Sequence, residues 1–264
     1  MYNFTYRKAA SVADAAKLLS GAEDGKLMAG GMTLIPTLKQ RLARPSDVID
    51  LGKIAELQGI KKDGNAIVIG ALTKHADVAS SDVVKGAIPA LAHLADHIGD
   101  AQVRNRGTIG GSICNNDPAA DYPSAVVALG ATVQTNQRTI AADDFFTGLF
   151  ETALKPDEIV TAVSFPIPEK AAYMKFPNPA SRYAIVGVFV AKTAGGVRVA
   201  VTGAGPCVFR AEAMEKALAK SFSADAIKDL KIAPGELNSD IHASREYRAH
   251  LVGVMARRAV QACG

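Results

Sequence analysis

Two glycine-containing segments are the parts of the sequence best suited to bind a ligand. The first runs from Met28 to Ile35 and reads Met-Ala-Gly-Gly-Met-Thr-Leu-Ile. A glycine backbone has no Cβ atoms, so a ligand can approach it closely. Thr33 can cap a helix that starts next, and the amides and dipole of a helix start suit a phosphate. The alternative is a simple turn between a strand and a helix.

The second segment, Thr108-Ile109-Gly110-Gly111-Ser112, lies between residues 99 and 122, where hydrophobic periodicity is weak. Long irregular stretches in compact domains are usually functional or disordered, and the apolar residues of this one favour an ordered loop. We predict bare backbone amides beside hydroxyls here. Asp117 and Asp121 follow, and carboxylates accept hydrogen bonds from ribose hydroxyls or an adenine amino group. The alternative is a surface loop with structural glycines, but two such loops in one domain raise the chance of a nucleotide with a diphosphate.

Motifs of other nucleotide-binding proteins are missing. Neither segment is followed by Gly-Lys-Ser or Gly-Lys-Thr, and neither reads Gly-x-Gly-x-x-Gly. Gly203-Ala204-Gly205 comes nearest but runs into Pro206. A Rossmann dinucleotide-binding domain is therefore not expected.

The sequence also offers no set of acid and base residues for catalysis. His93 and His97 have a spacing that could bind a metal on a helix, but a pair of helix side chains at a packing edge is commoner. Cys114 is expected to be a small packing residue rather than a reactive thiolate. This pattern suits a protein whose cofactor performs the chemistry.

Length and composition narrow the class of protein. The 264 residues, 48% hydrophobic and 21% charged, predict a globular chain of two domains or one large one. The 30 basic and 26 acidic residues are spread along the chain, so a nucleic-acid interface is not expected. Three scattered cysteines argue against a disulfide framework and against a metal site built from this chain alone. Because a signal peptide and a transmembrane segment are both missing, we expect a cytoplasmic protein.

Helices and strands must position the two segments. Ser11 predicts a helix start, and Thr33 another. Helices are expected at 12–19, after Thr33, at 82–97, 212–219 and 244–262, and strands at 26–29, 48–51, 66–69, 132–135, 158–165, 173–176, 182–192 and 197–202. Gly195-Gly196 supplies the turn of the last strand pair. Pro166 and Pro168 indicate a domain boundary, and the part that follows is typical of an α+β domain.

Both segments resemble those of the FAD-binding medium subunit of the molybdenum hydroxylases, the family of xanthine dehydrogenase and carbon monoxide dehydrogenase. The similarity continues through Glu158-Ile159-Val160, Tyr173-x-Lys175-Phe176 and Ser181-Arg182-Tyr183-Ala184, and covers nearly the whole chain. It implies an α+β fold. A two-lobed FAD-binding domain of the vanillyl-alcohol-oxidase-like (PCMH) type would occupy residues 1–168, with lobes at about 1–56 and 57–168. A CO dehydrogenase flavoprotein-like domain with an antiparallel sheet would occupy 169–264.

The resemblance also implies which residues bind FAD. The first segment would wrap the diphosphate, and the second would hold it from the other side. Asp121 would contact the adenosine end or the ribityl chain. Lys175 would place a positive charge near the carbonyl edge of the flavin, which favours an anionic reduced flavin. The implied set is Met28, Ala29, Gly30, Gly31, Met32, Thr33, Leu34, Ile35, Ile98, Thr108, Ile109, Gly110, Gly111, Ser112, Asp121, Val160, Lys175 and Tyr183. The resemblance implies no catalytic side chain and no metal ligand in this chain.

Three places depart from the family pattern. Met32-Thr33 stands where relatives often have His-Ser, Ser112 stands where Asn is common, and Ile98 stands where some relatives have an aromatic residue. These changes bear on single contacts and would tune the flavin potential or the access of an electron acceptor.

The function implied by the resemblance is an electron relay. A large subunit with a molybdenum cofactor would oxidise the substrate, and two [2Fe–2S] clusters in a small subunit would carry the electrons. FAD in this chain would pass them to NAD⁺, a quinone or oxygen, within a heterotrimer that could dimerise. Two alternatives stay open. A self-contained flavin oxidase would need its own substrate pocket and general base, and an FAD-free assembly subunit would have no use for intact glycine motifs.

Overall fold

The computed structural model describes residues 1–263. The strands in this part of the chain form three principal β-sheets and one short strand pair. The first sheet is parallel, with β1 (Thr5–Lys8), β2 (Gly25–Met28) and β3 (Asp47–Asp50) in the order β1-β3-β2. Helices α1 (Val12–Ser20) and α2 (Leu34–Lys39) lie between these strands in the chain. Ser11 caps α1 as predicted, since its hydroxyl accepts a hydrogen bond from the amide of Asp14 at 3.1 Å.

The second sheet is antiparallel, in the order β4-β5-β10-β6-β7. Its strands are β4 (Ile60–Asp63), β5 (Ala66–Gly70), β6 (Thr132–Thr135), β7 (Thr139–Ala141) and β10 (Val160–Pro166), and β8 (Phe146–Gly148) pairs with β9 (Glu151–Thr152). The helices of this part are α3 (His75–Ser80), α4 (Asp82–Ala87), α5 (Pro89–Asp96), α6 (Ala101–Arg104), α7 (Ile109–Asn115), α8 (Tyr122–Ala128) and α9 (Ala142–Phe145).

The third sheet is antiparallel and carries two helices. It contains β11 (Lys170–Pro177), β12 (Ala184–Thr193), β13 (Gly196–Thr202) and β14 (Phe209–Arg210) in chain order, followed by α10 (Glu212–Lys220) and α11 (Arg245–Ala262). The predicted turn at Gly195-Gly196 joins β12 and β13, and Gly196 has φ +112°, where a residue with a Cβ would be strained.

The predicted helix over residues 82–97 is wrong because a proline interrupts it. Ile88 has φ −138° and ψ 70°, outside the helical region, so α4 ends before it and α5 starts at Pro89. A residue before proline is disfavoured in the helical conformation, and proline itself is well tolerated at a first helical position.

Helix α8 lies where the cores of the second and third sheets meet. Tyr122 on this helix is fully buried in one cluster with Ile67 and Phe165 of the second sheet and Phe189 of the third. A separate cluster joins the other face of the third sheet to α10 and α11. Among residues 1–263, no helix is both long and apolar enough to cross a membrane.

Candidate cofactor-binding site

A cavity of about 540 Å³ brings the two glycine segments together. Its volume lies in the usual range for cofactor sites, about 300–1,000 Å³. Predicted residues that line it are Met28, Ala29, Gly30, Gly31, Met32, Thr33, Leu34, Ile98, Thr108, Gly110, Gly111, Ser112, Asp121, Val160 and Tyr183. The segments face each other directly, since a Cβ on Gly111 would lie 3.8 Å from the Cβ of Ala29.

Strand β2 is half-buried, and Lys26, Leu27 and Met28 of this strand line the cavity. The chain then turns through Gly31, whose φ of +74° favours glycine. Gly30 passes so close to the second half of the site that a Cβ there would lie 2.0 Å from the carbonyl oxygen of Arg106. Both glycines are therefore required by the backbone path.

The loop that follows β2 presents a row of unused amides. Within residues 1–263, the backbone amides from Gly30 through Leu34 donate no hydrogen bond, and the first amide of this region that does is that of Ile35, to the carbonyl of Gly31 at 3.0 Å. Thr33 stands at the cap position of α2, but its side chain makes no capping bond, contrary to the prediction. Successive amides of this kind form an anion-binding concavity.

The second segment is a helix start and not the predicted loop with bare amides. Thr108 caps α7, its hydroxyl accepting from the amide of Gly111 at 3.1 Å. The amides of Ile109 and Gly110 donate to the carbonyls of Thr73 and Ala71. Gly110 is needed for packing, since a Cβ would lie 2.7 Å from Ala71.

What the second segment offers a ligand is therefore a side chain and not a row of amides. Ser112 lines the cavity from α7, and no hydrogen bond of its hydroxyl is formed within residues 1–263. The backbone amide of Ser112 donates a hydrogen bond to the carbonyl of Thr108 at 3.0 Å.

Three predicted residues do not line the cavity. Ile109 is fully buried in the core, and Ile35 packs beneath Gly31. The ammonium of Lys175 is turned away from solvent and lies 2.9 Å from the carboxylate of Asp121 and 3.1 Å from the carbonyl of His97. Lys175 thus stabilises the cavity wall through its contact with Asp121 and does not line the cavity itself.

Asp121 carries two buried partners from β11. Besides Lys175, the hydroxyl of Tyr173 donates to its carboxylate. Burial raises the pKa of Asp121, while the Lys175 charge and these hydrogen bonds oppose that shift. The positive charge of Lys175 is therefore paired with a buried carboxylate, and its expected effect on a bound flavin stays a prediction.

Part of the cavity lining is apolar or aromatic. Ile98 and Val160 line it, and Tyr183 stands at the wall with about half its surface exposed, 48%. Burial together with the charges of Asp117 and Asp121 raises the pKa of the Tyr183 hydroxyl, which therefore stays protonated. Such a surface suits a flat aromatic ring system.

Sequence reasoning missed His75 as a lining residue. The residue is 5% exposed, and its Nδ1 has no partner within residues 1–263. Burial, with a smaller contribution from the charge of Arg104, lowers the pKa of His75 to about 4. The ring is therefore neutral near pH 7. A lone histidine five residues after the end of β5 gave no signal of its own.

Arg182 was also missed as a lining residue, although it lies within one of the family-like motifs. It has φ +62°, and its side chain covers Gly99, where a Cβ would lie 2.5 Å from the Cβ of Arg182.

Cys114 lines the cavity too, but burial raises the pKa of its thiol to about 12, so it acts as a packing residue. The rings of His93 and His97 are in contact at the end of α5, with centroids 4.0 Å apart and planes tilted by 45°. Residues 1–263 hold no group of three or more side chains placed to bind a metal.

Fold and cavity together are typical of a nucleotide-cofactor protein, with a cavity that lies between a loop of free amides and a capped helix. The family model described as the FAD binding domain in molybdopterin dehydrogenase matches residues 2–168. A second model, the CO dehydrogenase flavoprotein C-terminal domain, matches residues 171–263.

Known proteins similar to the chain agree with these models. The glyceraldehyde dehydrogenase medium chain of Sulfolobus acidocaldarius is 37% identical, over 97% of this chain and 96% of the relative. The carbon monoxide dehydrogenase medium chain of Hydrogenophaga pseudoflava is 35% identical, over 98% and 96%. A solved structure of the Hydrogenophaga pseudoflava enzyme superimposes with a TM-score of 0.89 at 36% identity, covering 99% of this chain and 97% of the other.

The chain belongs to the FAD-binding medium subunits of the molybdenum hydroxylases, and it is an oxidoreductase subunit. The α+β fold class, with an FAD-binding part and a C-terminal part that contains an antiparallel sheet, is thereby confirmed.

Proposed function

We propose that the chain binds the diphosphate of FAD on the amides of residues 30–34. The proposal rests on one observation: residues 30–34 line the cavity, and their consecutive backbone amides have no acceptor in the described part of the chain. A diphosphate supplies several anionic oxygens, and hydrogen bonds to a charged acceptor are stronger than neutral ones. Ser112 completes the cradle from the facing helix.

The remaining site residues then divide along the cofactor. Ile98, Val160 and Tyr183 provide the apolar end for the isoalloxazine ring, and the wall at Asp121 meets the ribityl chain or the adenosine end. Held there by these residues, FAD would supply the redox chemistry, since a flavin can exchange one or two electrons. The chain's own residues would hold the cofactor and exclude water.

We further propose that the chain works in a heterotrimer with a small [2Fe–2S] subunit and a large subunit that holds the molybdenum cofactor. Support comes from the relatives' description as medium chains and from the solved Cu,Mo-CO dehydrogenase, with a TM-score of 0.90 and 32% identity. Electrons would arrive from the small subunit and leave to NAD⁺, a quinone or oxygen.

Two organisational proposals accompany this function. The FAD-binding domain would span 1–168, with lobes at about 1–56 and 57–168, and the C-terminal domain 169–264. The separate sheets and the limits of the family matches support this division. A cytoplasmic location is supported by the three free thiols.

A tagged copy of the full chain, purified from its native host, tests the relay. We expect it to bring two further subunits, with molybdenum, iron and FAD in the ratio 1:4:1. After anaerobic reduction by dithionite, the flavin absorbance should return when NAD⁺, a quinone or oxygen is added. A complex without iron or molybdenum, or a flavin that none of the three reoxidises, would contradict the relay.

A further inference from the structure

The segment from Asp117 to Asp121 joins α7 to α8 and forms one wall of the cavity through Asp117, Ala120 and Asp121. Inside the segment, the carboxylate of Asp117 accepts from the amide of Ala119 at 2.8 Å, and its carbonyl accepts from the amide of Ala120 at 2.9 Å. These bonds curl the segment but leave the carbonyls of residues 118–120 pointing outward.

The third sheet binds all three of these carbonyls. The hydroxyl of Thr202 lies 2.6 Å from the carbonyl oxygen of Ala120 and 3.0 Å from that of Pro118. The amide of Gly203 donates to Pro118 at 2.7 Å, and a longer bond of 3.4 Å runs from the amide of Ala184 to Ala119. A wall of the cavity is thus shaped by strands outside the FAD-binding part.

Thr202 is well suited to hold a fixed position. It is fully buried at the end of β13, and the next residue, Gly203, has φ +81°. A Cβ on Gly203 would lie 2.5 Å from the carbonyl oxygen of Ala184, so the backbone tolerates only glycine there. The buried guanidinium of Arg248 on α11 secures this corner by donating to the carbonyls of Ile185 and Gly203 at 2.7 and 3.0 Å.

We propose that Thr202 is a positioning residue for the cofactor, whose hydroxyl fixes the 117–121 segment and thereby places the Asp121 carboxylate at the cavity wall. The proposal rests on the FAD-binding function proposed above. It assigns to the C-terminal sheet a direct part in shaping the site, through a side chain that does not line the cavity.

Thr202→Val in the full chain tests the proposal, because valine keeps the shape and removes only the hydroxyl. We expect the dissociation constant for FAD to rise about tenfold, the equivalent of one buried hydrogen bond. The visible circular dichroism of bound FAD should also change, which a purely structural role would not produce. Thr202→Ser retains the hydroxyl and should bind FAD within about twofold of the native chain.

Thr193→Val is the matched control, since Thr193 lies at the far end of the same strand pair and its hydroxyl donates to the carbonyl of Gly196. It should leave FAD affinity unchanged.

If Thr202→Val is less stable to urea but binds FAD with native affinity and spectrum, the positioning role is wrong and the proposed function stands. If Thr202→Val does not fold, a Thr202→Ser chain that folds but has lost affinity tenfold overturns the role of the hydroxyl. A native chain that binds no FAD overturns both proposals.

Discussion

The carbonyl oxygen of Arg106 limits what residue can stand at position 30. Any Cβ there meets this backbone oxygen at 2.0 Å, so even alanine forces the loop away from α7. The backbone of residues 30–34 would then shift relative to the facing segment at Arg106. At this scale the site depends on backbone geometry more than on side-chain chemistry.

Gly30→Ala should therefore greatly weaken the binding of FAD. We expect the ratio of flavin absorbance to protein in the purified full chain to fall at least tenfold. Gly86→Ala is the matched control, because Gly86 lies in α4 with open space around its Cβ position, and it should keep a full complement. Stoichiometric flavin in Gly30→Ala would show that residues 30–34 do not hold the cofactor.

The neutral imidazole of His75 predicts a pH dependence of folding stability. Its pKa is about 4 in the folded chain and about 6.5 when unfolded. As pH falls from 6.5 towards 4, the unfolded state takes up a proton that the folded state does not, so the free energy of unfolding decreases. The full effect is about 3 kcal/mol at most.

Urea unfolding at several pH values measures this effect. His75→Gln should flatten the decline between pH 6.5 and 5. Glu158→Gln is the comparison, since Arg138 holds the pKa of Glu158 at about 2, and its stabilisation is lost only as pH falls below about 4.5. An unchanged slope in His75→Gln would contradict the assignment of a neutral buried imidazole.

At the scale of elements, β11 and the start of α8 are joined through Lys175 and Asp121, both nearly fully buried. Lys175→Met should lower the free energy of unfolding by about 3–5 kcal/mol, because it leaves a buried carboxylate without its partner. Adding Asp121→Asn should recover most of the loss. Lys192→Met, which removes an exposed ion pair with Glu169, should change stability by less than about 1 kcal/mol.

Denaturant midpoints of the native chain and these three variants measure the contribution of the buried pair. If Lys175→Met is no less stable than Lys192→Met, the buried pair does not hold β11 against α8. Loss of FAD from a Lys175→Met chain that folds normally would instead show that Lys175 acts on cofactor binding, either directly or by holding Asp121.

Sequence patterns predicted most elements but not the form of the second glycine segment. Alternation and capping signals located α1, β12, β13 and α11 well, because each has a strong apolar face or a cap. The segment from Thr108 reads as a loop since two glycines interrupt its pattern, yet Gly110 is needed for α7 to pack on Ala71. Strand β4 carries Lys61, Lys62 and Asp63 on an exposed edge, which hides its periodicity.

For the molecule as a whole, family-like motifs identified the site's composition, while the contacts that organise it came from the fold. The two glycine segments were expected to meet, and they do. No sequence pattern indicated that Thr202 would support the cavity wall, because its partners are backbone carbonyls more than 80 residues away. A hydrogen bond from a side chain to a distant backbone carbonyl produces no recognisable pattern in the sequence.

Titration of the purified full chain with FAD and with riboflavin tests the central claim most directly. Two hydrogen bonds to a charged diphosphate contribute about 3 kcal/mol, roughly a hundredfold in affinity. We therefore predict one FAD per chain, bound roughly a hundredfold more tightly than riboflavin, with a perturbed visible spectrum. Equal affinity for the two flavins, or no binding of FAD, would contradict a site built on the free amides of residues 30–34.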